Sequence, residues 1–162
     1  MSLLWSQDPD ERAANDHQKN ESRVMQVTTS RKPSDGTRRL ARTLAEFLVH
    51  PYITRGKLSL DRDSDWIVVV EKYGNPSGFE RRTEEGDLIF PFRLSFERRI
   101  PRTKRERPVI VGRSDTAKYL ASFFDLDIDN GDKEIKAKRV IKVSDNHLDF
   151  IVNGEMILKL LI

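Results

Sequence analysis

IKAKRVIKVSDNHLDFIVNGEMILKLLI, residues 135–162, is the stretch whose reading decides the fold class. It holds three apolar-rich runs, Ile135–Val143, Leu148–Val152 and Met156–Leu161, separated by two turn signals. Asn153-Gly154 suits a two-residue type I′ turn, in which both central residues take positive φ, and it sits between apolar runs. Ser144-Asp145-Asn146 offers short polar side chains that bond to their own backbone and reverse the chain. The stretch therefore predicts an antiparallel three-strand meander. Its last run is apolar on both faces up to Ile162, whereas chain ends are normally polar and frayed. Two explanations stand: the last strand lies centrally in a sheet, or another subunit covers it. In the second case Met156, Leu158, Leu160 and Ile162 form an interface in a homo-oligomer or with a protein partner.

Working back from this meander, Asp125–Asp132 reads as an acidic loop and Asp115–Asp125 as a helix, with Ser114 as N-cap and Ala117, Leu120, Ala121, Phe123 and Phe124 on its apolar face. Val109–Val111 is a short buried strand. Leu88–Glu97 alternates, with Leu88, Phe90, Phe92, Leu94 and Phe96 on one face, which predicts a half-buried strand. Pro91 cannot donate to a ladder, so that strand lies at an edge or bulges there. Tyr73–Gly86 reads as a loop. Lys57–Leu60 and Trp66–Lys72 read as a hairpin around Asp61-Arg62-Asp63-Ser64, with the second strand apolar on both faces. Thr37–Val49 reads as a helix with Leu40, Ala41, Leu44, Phe47 and Leu48 in one stripe, and His50-Pro51 ends it.

The expected order is α-β-β-β-β-α-β-β-β. It implies an α+β domain over 37–162: a mostly antiparallel, strongly bent sheet or partly open barrel of about seven strands with two helices. No period of repeat length is visible. After a short apolar start, Leu3-Leu4-Trp5, residues 6–36 are polar apart from Val24, Met25 and Val27, and residues 1–36 read as a flexible tail, with a short helix from Pro9 to about Val24 as the one local option.

The 162 residues suffice for one core without disulfide or metal support. There are no cysteines, which excludes zinc fingers, redox pairs and thiol nucleophiles and leaves no need for an oxidising compartment. No apolar run reaches the length of a membrane span. An intracellular protein, cytoplasmic or nuclear, is the expectation. The net charge of +3 is too small to argue for nucleic acid by itself; only clustering can do so.

The basic residues do cluster. Between Arg93 and Arg107 seven cations face two carboxylates. Arg98, Arg99, Arg102, Lys104, Arg105 and Arg107 are the candidate phosphate contacts, since guanidinium forks match phosphate oxygens. Lys136 and Lys138 on the following strand, and Arg38, Arg39 and Arg42 on the first helix, are secondary candidates. A solvated connector and a lysine-guarded edge strand account for the same residues without a ligand.

Asp125–Asp132 has part of a calcium-loop pattern but lacks glycine at its sixth position and glutamate at its twelfth. Glu134-Ile135-Lys136 has the E-x-K form of a metal-dependent nuclease, with its aspartates in the wrong place for a neighbouring strand. The motifs of serine hydrolases, P-loop NTPases, dinucleotide-binding enzymes and zinc proteases are absent. The sequence thus points to a non-enzymatic module that contacts nucleic-acid phosphates with weak sequence specificity. No cofactor, metal or membrane is expected. The alternative is an assembly or adaptor protein that uses the tail and the apolar last strand.

Overall fold

The computed structural model describes residues 25–57, 59–61 and 63–162. In chain order they form β1 (Met25–Thr29), α1 (Asp35–Leu48), β2 (Asp65–Lys72), β3 (Asn75–Thr83), β4 (Gly86–Pro91), β5 (Arg93–Glu97), β6 (Val109–Val111), α2 (Asp115–Phe124), β7 (Ile128–Asp129), β8 (Arg139–Val143), β9 (His147–Val152) and β10 (Glu155–Leu161). The first sheet has the order β1-β2-β3-β4 and the second β5-β10-β9-β8-β6-β7. The α+β class with two helices holds. The single bent sheet of about seven strands does not: ten strands divide between two sheets, and neither closes into a barrel.

Each sheet starts from a parallel pair spanned by a helix. β1 pairs parallel with β2 across α1, and β6 pairs parallel with β8 across α2. Two antiparallel strands follow in each case, β3 and β4 in the first sheet, β9 and β10 in the second. The two halves therefore repeat one β-α-β-β-β order, although no repeat was visible in the residues. What they share in sequence is short. Ser34-Asp35 and Ser114-Asp115 open the helices, each serine hydroxyl accepting from the backbone N–H three residues on (3.2 Å from Thr37, 3.1 Å from Ala117). Leu40-Ala41 and Leu120-Ala121 follow at the same distance from these caps.

Four readings need correction. First, residues 25–36 belong to the fold rather than to a tail. β1 is held from both sides by segments distant in sequence: β2 along one edge, and on the other Val27 N–H donates to Pro51 O (2.9 Å) while Ile53 N–H donates to Val27 O (2.8 Å). Composition cannot show such pairing. The short helix expected before Val24 lies outside the described residues. Second, Lys57, Ser59 and Leu60 are not in a strand, and Leu58 lies outside the described residues; β1 takes the place beside β2 that this segment was expected to fill. Third, Tyr73–Gly86 is mostly β3, joined to β2 by Tyr73-Gly74 with φ of 53° and 76°. A tyrosine in the left-handed region is uncommon, so the turn carries no Asn-Gly signature. Fourth, Leu88–Glu97 is two strands. β4 ends at Pro91 on the outer edge of the first sheet, and β5 crosses to pair with β10 in the second. The proline sits where the ladder stops, as its missing N–H requires.

The meander forms as expected, with Asn153 and Gly154 at φ 50° and 79°. β8 begins only at Arg139 rather than at Ile135, and the Arg139 side chain, at an inward position of the strand, is buried. β10 lies between β5 and β9, so its apolar character comes from central placement. Leu158 and Leu160 are fully buried inside this chain and present nothing to a partner; only Met156 and Ile162 of the expected interface are exposed.

Both helices bridge the sheets. Phe47 of α1, which packs over the first sheet, meets Phe150 of β9 edge-on at 5.2 Å. Phe124 of α2 meets Phe79 of β3 at 5.8 Å. Neither helix has a basic residue in its last turn. Each is instead closed by an arginine from the other half. Arg139 of β8 donates to Glu46 O (2.7 Å) and Phe47 O (3.1 Å) of α1. Arg81 of β3 donates to Ser122 O (2.7 Å) and Phe123 O (2.9 Å) of α2. In both helices these are the carbonyls three and two positions before the C-cap, at the negative end of the helix dipole; the earlier of each pair also accepts from the C-cap N–H of Val49 or Asp125 (3.3 Å).

Candidate nucleic-acid interface

α1 gathers the cations. Its stripe of Leu40, Ala41, Leu44, Phe47 and Leu48 is buried, so at 3.6 residues per turn Arg38, Arg39 and Arg42 fall on the solvent side. Facing them is the start of the arginine-rich connector. Ile100 is buried in the core, and Arg98 N–H donates to Ile157 O (2.8 Å), which ties this segment to β10. The result is a cleft of about 720 Å³ lined by Arg38, Arg39, Arg42, Arg98 and Arg99, with Asp35, Glu46 and Glu97 among its walls. Five cations against three carboxylates leave it positive.

The carboxylates orient rather than silence the cations. Glu97, whose side chain is 9% exposed, accepts from Arg39 Nε at 2.8 Å, while Arg39 itself stays 68% exposed. Arg38 pairs loosely with Asp35 (3.5 Å) one turn back. Arg98 pairs with Glu155 (3.1 Å), both half exposed. Exposed pairs like these are worth little in water and open readily to a stronger anion. Arg42 lies over the Tyr52 ring, 5.3 Å from its centroid, which fixes its plane.

The rest of the connector behaves differently along its length. Arg102, Lys104 and Arg105 are exposed and have no ion pair among the described residues. Arg107 has partners within the chain: it donates to Asp125 O and lies 3.8 Å from the Asp125 carboxylate. Its charge also reaches His50, whose pKa is lowered by burial first and by Arg107 second. Buried Arg139 anchors the connector's middle by donating to Thr103 Oγ1 (3.3 Å) and Lys104 O (3.4 Å), so the residue that closes α1 also holds this segment near α1. Lys136 and Lys138 are exposed on irregular backbone before β8. Lys138 lines a separate shallow groove with Lys142, Val140 and Ile151, so the lysine row does not join the arginine cleft.

A second hollow, of about 640 Å³, lies beyond Arg38, which lines both. Its other basic residues are Arg31, Lys32, Arg55 and Lys57, none of which the sequence reading singled out. Arg31 and Lys32 were hidden in the supposed tail. The signal that locates them is the alternation Met25, Val27 followed by Pro33-Ser34, a strand running into a capped helix.

The acidic segment 125–132 contributes β7 to the second sheet, and among the described residues no three carboxylate or histidine side chains gather closely enough to hold a metal ion. Among them, too, no helix is long and apolar enough to cross a membrane.

Both the sequence and the fold of this chain have counterparts in other proteins. The chain is 32% identical over 153 residues to a probable Brix domain-containing ribosomal biogenesis protein of Methanosarcina mazei, covering 83% of this chain and 94% of the relative. A protein of the same description from Methanosarcina barkeri is 29% identical over 149 residues, covering 84% and 95%. The crystal structure of Mil, an archaeal Imp4-like protein, superposes with a TM-score of 0.65 at 26% identity, covering 85% of this chain and 95% of Mil. A probable ribosomal biogenesis protein from Aeropyrum pernix K1 shares the fold, with a TM-score of 0.61 at 21% identity over 86% and 94%. No family model matches the sequence. The likeness to Mil and to the Methanosarcina proteins over nearly their whole length defines the class, a Brix-type domain. The chain belongs to the family of Brix domain-containing ribosomal biogenesis proteins.

Proposed function

We propose that this protein acts in ribosome biogenesis by binding RNA through its phosphates at the α1 cleft. The observation that carries the reading is convergence: Arg38, Arg39 and Arg42 of α1 line the same cleft as Arg98 and Arg99, which lie more than fifty positions further along the chain. Forked guanidinium groups held around one cavity suit successive phosphate oxygens. The names of the relatives, ribosomal biogenesis proteins, supply the context in which such a polyanion is RNA. Recognition is by backbone rather than base edges, so sequence specificity is weak. Arg102, Lys104 and Arg105 extend the contact along the connector, and Arg107, in an exposed 3.8 Å pair with Asp125, is its outermost candidate.

Fluorescence anisotropy with a labelled single-stranded RNA at two salt concentrations tests this. Wild type binds at low salt, and log K falls with log salt by about 0.7 per phosphate contact. The triple variant Arg39→Gln/Arg42→Gln/Arg99→Gln keeps its circular dichroism spectrum and loses affinity by at least an order of magnitude. Wild type that does not bind at low salt, or a triple variant that binds like wild type, ends the proposal.

A protein-contact role alongside RNA is favoured by one patch. Leu88 and Ile89 of edge strand β4 are 45% and 62% exposed, next to the exposed Tyr119 of α2, whose hydroxyl donates to Ile89 O at 3.5 Å. An apolar sheet edge of this kind suits a protein neighbour in an assembly.

A further inference from the structure

We infer that the hollow beyond Arg38 is a second phosphate-binding site, so that an RNA strand lying in the α1 cleft continues past Arg38 into it. This rests on the cleft reading and deepens it. The hollow forms where two parallel segments run off the sheet together. Residues 52–55 lie alongside β1, with Tyr52 bridged in parallel to Val27, Thr28 Oγ1 donating to Ile53 O (2.6 Å) and Arg55 Nη1 donating to Thr29 O (3.2 Å). Beyond Thr29 the chain turns away through Arg31, Lys32 and Pro33, and beyond Arg55 through Gly56 and Lys57. The crevice outside the carboxyl ends of parallel strands is where α/β frames place ligands.

Its chemistry is more one-sided than that of the cleft. Arg31, Lys32, Arg38, Arg55 and Lys57 line it, and among the described residues none that lines it is acidic. Arg55 is buried at its floor, where burial foremost, then the charges of Arg82 and Arg31, lower its pKa. The neighbouring helix N-terminus is not the attraction, because this chain's own Glu71 carboxylate already accepts from Ser34 N–H (3.0 Å) and Thr37 Oγ1 (2.6 Å) there. The ligand is therefore one that brings a phosphate to five side chains, and the shared wall at Arg38 makes it a further phosphate of the strand in the cleft.

The test uses the full chain, labelled single-stranded RNA and two double variants. Arg31→Gln/Lys57→Gln alters only exposed residues of the hollow, and Arg39→Gln/Arg99→Gln only the cleft. The expected result is that each lowers affinity by on the order of tenfold near 0.1 M salt and flattens the salt slope by about 0.7 for each cation removed. A hollow variant with the wild-type affinity and slope, beside an impaired cleft variant, overturns this inference and leaves the cleft reading standing. Wild-type behaviour by both overturns both. A polyglutamate peptide that competes as well as RNA for the wild type, and fails to compete for the hollow variant's remaining binding, assigns the hollow to acidic protein and overturns its assignment to RNA.

Discussion

The two β-α-β-β-β halves present the same frame and opposite surfaces. α1 and α2 share a serine cap followed by aspartate, a buried leucine and an alanine at matching positions, and a left-handed C-cap, Val49 at φ 61° and Asp125 at φ 54°. Outside that frame they diverge. α1 turns three arginines outward and borders two basic hollows, whereas α2 exposes Tyr119 against the apolar edge of β4. The inner faces are constrained alike because both helices wedge between the same two sheets. The outer faces carry no such constraint, and there one half presents arginines and the other an apolar patch.

The comparison breaks first at the core if it is mistaken. Leu40→Ala and Leu120→Ala remove side chains that are fully buried at matching positions, and each is expected to cost about 2–5 kcal/mol. Urea unfolding of both variants checks it, and a loss below about 1 kcal/mol at either site denies the equivalence of the two helices. The arginine caps come next. Arg139→Met takes a charged donor from two helix carbonyls, of which Glu46 O keeps the Val49 N–H, and should cost about 1.5–3 kcal/mol, the scale of one charged hydrogen bond. Arg81→Met should cost at least as much, because it also takes one partner from the buried Asp65 carboxylate, 3.5 Å from Arg81. Thermal melts of the pair read the ranking directly.

The smallest effects sharpen the difference between the helix starts. Ser114→Ala should lose about 1 kcal/mol at any pH near neutral. At α1 the cap is backed by Glu71, whose carboxyl is held below its usual range by the Thr37 hydroxyl first and by the Ser34 N–H next. A carboxyl with a lowered folded pKa contributes stability that is present above its unfolded pKa and is lost as pH falls through the folded one. Glu71→Gln should therefore be slightly less stable than wild type at pH 7 and equal to it in acid, below the ordinary carboxylate range. An offset that persists unchanged at acid pH removes the ionic contribution.

Local chemistry explains what could be read in advance. The Asn153-Gly154 turn, the Ser114 cap and the apolar stripes of the helices are encoded within a few residues, and they form where expected, whereas α1 starts two residues before the expected Thr37, with Ser34 as its cap. β1 and β3 were not, because Met25–Thr29 and Asn75–Thr83 become strands through partners far along the chain and through a Tyr73-Gly74 turn with no sequence signature. The site followed the same division. The arginines of α1 and of 98–99 were visible as clusters, but their meeting in one cleft, the pairing of Arg107 with Asp125 and the inward turn of Arg139 are tertiary facts. Arg55 and Lys57 were missed because a hairpin was expected where the chain runs beside β1 instead.

The exchanged arginines carry one more consequence. Since an arginine of β8 braces the end of the first helix and one of β3 the end of the second, neither half contains the arginine that braces its own helix. β5, encoded next to the first sheet, completes the second. Cutting the chain near residue 97 would give two fragments that each lack that brace, so the molecule should melt in one concerted step, and neither fragment should hold its shape until the other is returned.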